Sequence, residues 1–165
     1  MHGGFTLVEL MVMMAILGIL AVVAVPSMTS LMNASRLSGA EGELAATLQV
    51  ARSEAIRRNA RVTVCASTDG LACTNSTAWT RWIVRGRDNA AGTDDVIRDE
   101  TPRDSVQVTG PAAGIVFRPS GVIDAQATVT ACMPVTNPAE NQRVITVMIS
   151  GGLTQTRTDG GGSCP

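Results

Sequence analysis

The run Gly3-Gly4-Phe5-Thr6-Leu7-Val8-Glu9 sets small residues, an aromatic residue and one carboxylate directly ahead of an unbroken apolar stretch over residues 10–25, which stops at Pro26. A charged side chain at the centre of a bilayer costs roughly 2.5 to 3.5 kcal/mol, less near its edge, and such residues are usually paired or functional. Glu9 therefore needs a reason. Cleavage between Gly4 and Phe5 would supply one, because the new α-amine on Phe5 lies about one helical turn from the Glu9 carboxylate. Amine and carboxylate then neutralise each other, within one subunit or between neighbours. This is assembly chemistry rather than turnover.

Other residue types point away from catalysis. The only histidine is His2, ahead of that cut, which removes Ser/His/Asp and Cys/His sets from the remaining chain. No catalytic residue, small-molecule substrate or cofactor is expected. Asp94, Asp95, Asp99 and Glu100 form an acidic group without the ordered spacing of a calcium loop, so a solvated loop is expected there and no metal. The four cysteines, Cys65, Cys73, Cys132 and Cys164, all follow the apolar stretch and suit an oxidising compartment. Three pairings are possible. Cys65 with Cys73 and Cys132 with Cys164 is favoured: the first closes a short loop around the turn pair Asp69-Gly70, and the second ties down a glycine-rich tail. The alternatives are free thiols or zinc, although Cys-x7-Cys lacks the tight knuckle of a structural zinc site.

Arg81, Arg85 and Arg87 occupy odd positions of one expected strand, with Trp79 on the same face and Trp82 opposite. Arginine beside exposed aromatic surface suits nucleic acid through phosphate contact and stacking. The simpler alternative is the wet face of a strand, and Asp88, Asp94 and Asp95 nearby oppose phosphate.

These residues need elements to hold them. At about 1.5 Å per residue the apolar run spans about 24 Å, so residues 5–7 are expected to complete a membrane crossing. Pro26 is expected to kink the helix, not end it, since Leu37, Leu44, Leu48, Ala51 and Ala55 then recur at helical spacing to about residue 59. Val144 to Ile149 reads as a central strand. Further short strands are expected at 61–65, 79–85, 96–98, 106–108, 115–118, 128–133 and 153–157, separated by Gly, Pro and Asn turns. The net charge of −1 gives no general attraction to nucleic acid, and every cationic side chain is arginine, which can grip an oxyanion in two places.

Gly4 followed by Phe5-Thr6-Leu7-Val8-Glu9, then an apolar run containing Gly18 and followed by Pro26, closely resembles the N-terminus of type IV pilins and type II secretion pseudopilins. Ala51-Arg52-Ser53-Glu54-Ala55, the strand leading to Cys65, the loop to Cys73, and Trp79 and Trp82 extend the resemblance to minor subunits of the FimT, FimU and GspH group. It implies an α+β pilin-like fold, a long N-terminal helix packed on a C-terminal antiparallel β-sheet head. The parts would be a leader (1–4), a transmembrane and assembly helix (5–27), its amphipathic half (28–59) and a globular head (60–165). It further implies cleavage after Gly4, methylation of Phe5, and guidance into a filament by Glu9. The implied function is that of a minor pilin, a structural and priming subunit of a type IV pilus. A type II secretion minor pseudopilin and a DNA-binding minor pilin for transformation are the alternatives.

The implied partners are other pilins through their N-terminal helices, a prepilin peptidase and an inner-membrane assembly platform, with DNA attached to the last alternative. The implied location is the inner membrane as a single-pass precursor with a periplasmic head, then the pilus or pseudopilus. Two departures stand out. The leader lacks the lysine or arginine usual in that family, which leaves an upstream start as an expectation. Where DNA-binding members carry Gly-Arg-x-Arg, this chain reads Gly152-Leu153-Thr154-Gln155, leaving Arg143 and Arg157 as the nearby cations.

Overall fold

A single helix organises the structure, a computed structural model that describes residues 6–89, 91–103 and 105–165, without the side chains of residues 23–26. Helix α1 runs over Leu7–Arg58, 52 residues, and continues through position 26. The kink expected at Pro26 falls on a residue whose side chain lies outside the described set. Thr6 caps the first turn, its Oγ1 accepting the Glu9 N–H at 3.3 Å. At the other end Asn59 adopts the left-handed conformation (φ 49°), where its N–H reaches the Ala55 and Ile56 carbonyls and the chain turns into the head.

The two halves of α1 differ in what covers them. From Leu7 to Val22 every large apolar side chain is at least half exposed, whereas Leu37, Ala40, Leu44, Leu48, Ala51 and Ala55 are at most 2 % exposed. The buried stripe has the spacing of one helix face. Gly39 and Gly42 lie on the open side, with nothing near the place a Cβ would occupy.

Eight strands follow: β1 Val62–Ala66, β2 Trp82–Asp88, β3 Thr93–Glu100, β4 Gln107–Thr109, β5 Ile115–Phe117, β6 Ala127–Cys132, β7 Gln142–Val147 and β8 Leu153–Thr158. They form two antiparallel four-stranded sheets, β3-β2-β1-β5 and β4-β6-β7-β8, instead of one. Helix α1 crosses both. Its stripe closes a common core with Val62, Val64, Trp82, Val84 and Phe117 of the first sheet and Val129, Ala131, Ile145 and Val147 of the second. The α+β class with a long helix on antiparallel sheet is therefore the architecture observed.

Three strand expectations shift. β2 begins at Trp82, not at residue 79; Trp79 precedes it and donates its N–H to the Val108 carbonyl at 2.8 Å. β3 is longer than residues 96–98 because Asp94 and Asp95 pair in register with Arg87 and Gly86 of β2. β7 ends at Val147 and alternates along its length, so Val144 is half-buried, while Met148 and Ile149 pass into the following turn and are exposed. That turn needs glycine at position 151. Its φ is +77° and an added Cβ would sit 2.0 Å from the Gly121 carbonyl oxygen.

Candidate functional site

The lower half of α1 presents apolar side chains that nothing in the head covers, and it is the one helix among the described residues long and apolar enough to cross a membrane. Burying such a surface returns about 25 cal/mol per Å². Lipid or other helices are the surroundings that would supply the burial. Glu9 is exposed one turn into this helix, and between Leu7 and Arg36 it is the sole charged residue. Gly4 and Phe5 lie outside the described residues, so the pairing of the Phe5 amine with Glu9 stays an expectation.

Polar contacts along the upper half fix how the helix meets the head. Arg52 donates from Nη1 to the Gly151 carbonyl (2.9 Å) and from Nη2 to the Ser150 carbonyl (3.1 Å), gripping the β7–β8 turn. Thr47 Oγ1 donates to Glu100 at the end of β3 (2.9 Å). Glu41 and Arg143 form a buried pair at 3.6 Å between α1 and β7. Burial, then repulsion from Arg157, pushes the Arg143 pKa below its ordinary value, with Glu41 opposing. It remains a guanidinium at any ordinary pH. Removing one member of a buried pair costs about 3 to 5 kcal/mol, because the other is left uncompensated. The sequence offered a signal for Glu41, which falls four residues after Leu37 on the buried stripe; Arg52 and Arg143 had none, because their partners are remote in sequence.

The basic stripe is not assembled as expected. Trp79 and Trp82 are both buried, 0 % and 1 % exposed, so no aromatic surface accompanies the arginines. Arg81 is bonded to Asp99, with Nε to Oδ1 at 2.6 Å, which lifts the arginine pKa and lowers that of the aspartate. Arg85 lies 3.7 Å from Asp94. Arg143 faces the core and Arg157 stands exposed opposite it on β8. Arg85 and Arg87 share a face of the first sheet, whereas Arg143 and Arg157 belong to the second, so the five arginines form no single surface. The acidic group is likewise dispersed among ion pairs: Asp95 with Arg58 (2.5 Å), Glu100 with Arg98 (2.9 Å), and the two pairs just named. No cluster suited to a metal occurs among the described residues.

Cys65 is bonded to Cys73 and Cys132 to Cys164. In the first loop Asp69 accepts the Leu71 and Ala72 N–H groups at 2.8 and 3.0 Å, which, Ala72 foremost, lowers its pKa to about 2. In the second, buried Asn141 reaches the Met133 and Ser163 carbonyls and accepts from Gly160, so the glycine tail is held at several points around the bridge.

The family of the type II transport protein GspH matches residues 41–152, and the prokaryotic N-terminal methylation motif matches residues 1–25. No curated protein matches the sequence. Among solved structures, the type IV minor pilin FimU of Pseudomonas aeruginosa PAO1 superposes with a TM-score of 0.57 at 22 % identity, over 74 % of this chain and 89 % of that one. The minor pseudopilin EpsH of the Vibrio cholerae type 2 secretion system gives 0.54 at 17 % identity, over 74 % and 97 %. These likenesses concern the fold. The family match takes in the end of the upper helix and most of the head, the motif match takes in the apolar start, and the chain belongs to the GspH family of type II transport proteins.

Proposed function

We propose that this chain is a minor pilin, a structural and priming subunit of a type IV pilus, made as a membrane-inserted precursor. A prepilin peptidase cuts it after Gly4 and methylates Phe5; an inner-membrane assembly platform then draws residues 5–27 from lipid into a bundle of like helices. The observation that carries this reading is the exposed apolar half of α1 with Glu9 as its sole charge. Helices leaving lipid must bury their apolar surface against each other, and a carboxylate without a cationic partner disfavours wrong longitudinal registers. The head, held rigidly to the upper helix by Arg52 and the Glu41–Arg143 pair, is then carried to a fixed place on the filament.

Use of the same helix in a type II secretion pseudopilus is the second reading, favoured by the description of the matching family. DNA uptake draws less support, since Trp79 and Trp82 are buried and Arg81 and Arg85 are matched by aspartates. Deletion of the gene, scored together for twitching, protein secretion and transformation, separates the three. The pilus reading expects loss of twitching with secretion intact; a secretion defect with normal twitching would replace it by the pseudopilus reading.

A further inference from the structure

Most arginines of the head and upper helix meet a carboxylate: Arg57 and Arg58 meet Glu54, Arg81 meets Asp99, Arg98 meets Glu100, and Arg118 meets Asp124. Among the described residues Arg36, Arg52 and Arg157 do not, and nor do Arg61 and Arg87. Neither of the last two makes an ion pair or a side-chain hydrogen bond among those residues, and both are exposed. They are also neighbours. The β1–β2 register sets Val62 opposite Gly86 and Thr63 opposite Arg85, and the Arg87 N–H reaches the Arg61 carbonyl at 3.4 Å. Alternation along the strands then puts Arg61 and Thr63 of one chain segment, and Arg87 and Arg85 of the other, on the same face of the first sheet. The inner face of these strands belongs to the core, through Val62, Val64 and Val84.

The four side chains line a hollow of about 170 Å³ whose wall includes Cys73, fixed by its bond to Cys65. Three guanidinium groups face one carboxylate there, Asp94, which stands opposite Arg87 and 3.7 Å from Arg85. The Arg85 Nε is buried and lacks a hydrogen-bond partner. Like charges directly opposite on a sheet are destabilising, and Asp94 offsets only part of the charge of Arg61, Arg85 and Arg87, so an added anion would stabilise this face. Planar guanidinium forks take carboxylates in paired hydrogen bonds, and a threonine hydroxyl adds a neutral donor.

We propose that this hollow on β1 and β2 binds an acidic side chain presented by a neighbouring subunit. Beside Asp94 the three guanidinium groups leave two positive charges in excess, which an added carboxylate halves, and the hollow has room for one such group. An extended phosphate chain fits less well, because the hollow is small and the head offers no exposed tryptophan for stacking. The identity of the partner rests on the filament reading above; the hollow itself does not.

The test uses the full-length protein in detergent micelles and a tetraglutamate peptide as probe, with binding followed by calorimetry over a salt series. The wild type should bind the peptide with an affinity that falls as salt rises. R61E/R87E should weaken binding about tenfold or more, while the charge-matched R36E/R157E pair should not. Circular dichroism and intact bridges would show that the variant heads remain folded. Equal loss in both double variants would mean general charge attraction and overturn the site, as would absence of binding by the wild type. A single-stranded oligonucleotide that binds more tightly than the peptide, and depends on Arg61 and Arg87, would overturn the acidic occupant in favour of phosphate. Filament incorporation is not read in this assay, so failure here and failure of the filament reading remain distinct.

Discussion

Glu54 takes hydrogen bonds from Arg57 (3.0 and 2.6 Å) and from Arg58 (2.8 Å), and these hold its pKa at about 2 against an ordinary 4.5. Arg58 passes the charge on to Asp95, so the last turn of α1 is tied to β3. A carboxyl whose folded pKa is depressed contributes stability that is complete above its unfolded value and is lost as pH falls through the folded one. Glu54→Gln should therefore lower the melting temperature at pH 7, and the difference from wild type should shrink between about pH 4.5 and pH 2. Thermal unfolding across that range checks it, and an unchanged difference at pH 2 would contradict it. At this scale the sequence was unevenly legible. The Glu54–Arg58 pair follows from helical spacing, and Glu9 declares itself by its apolar surroundings. Arg81 and Asp99, 18 residues apart, become partners only when β2 and β3 are in register, so the arginines read as an open stripe.

Elements explain why the head needs its staples. The last strand is followed by Asp159-Gly160-Gly161-Gly162-Ser163, which has no side chains to pack, yet Ser163 and Gly160 are fixed by Gln142 and Asn141. The Cys132–Cys164 bridge closes a separation of 32 residues and the Cys65–Cys73 bridge one of 8. Loop-closure entropy assigns about 4 kcal/mol to the first and about 2.5 kcal/mol to the second. C132S/C164S should accordingly lower the denaturation midpoint more than C65S/C73S, and urea unfolding of both compares them directly. The reverse order would show that the short loop, with its Asp69 turn, matters through its packing rather than its closure. Strand positions were legible where β-branched residues alternate, as in β1 and β6. They failed at β3, whose Thr93-Asp94-Asp95 start has little strand propensity and is held by cross-strand charge.

The whole molecule has two functions divided along one helix. Residues Leu37 to Ala55 bury a stripe that makes α1 the third layer of the head, while Leu7 to Val22 offer a surface the head cannot cover. Length, the apolar run and the upper stripe made this division readable from sequence, as did the overall α+β class. The split into two sheets was not, because strand order depends on pairings between distant segments. On the reading proposed above, the exposed half enters a filament under the control of Glu9. The most direct measurement is quantitative mass spectrometry of filaments sheared from cells carrying wild-type or Glu9→Ala chains, normalised to membrane levels of processed protein. A register preference of about 1.4 kcal/mol is already tenfold in occupancy. The wild type should appear with Phe5 as its methylated first residue, and Glu9→Ala should be processed and stable but depleted about tenfold or more. Equal amounts of the two in sheared filaments would contradict the role given to Glu9, and absence of the wild-type chain would contradict its place in a pilus.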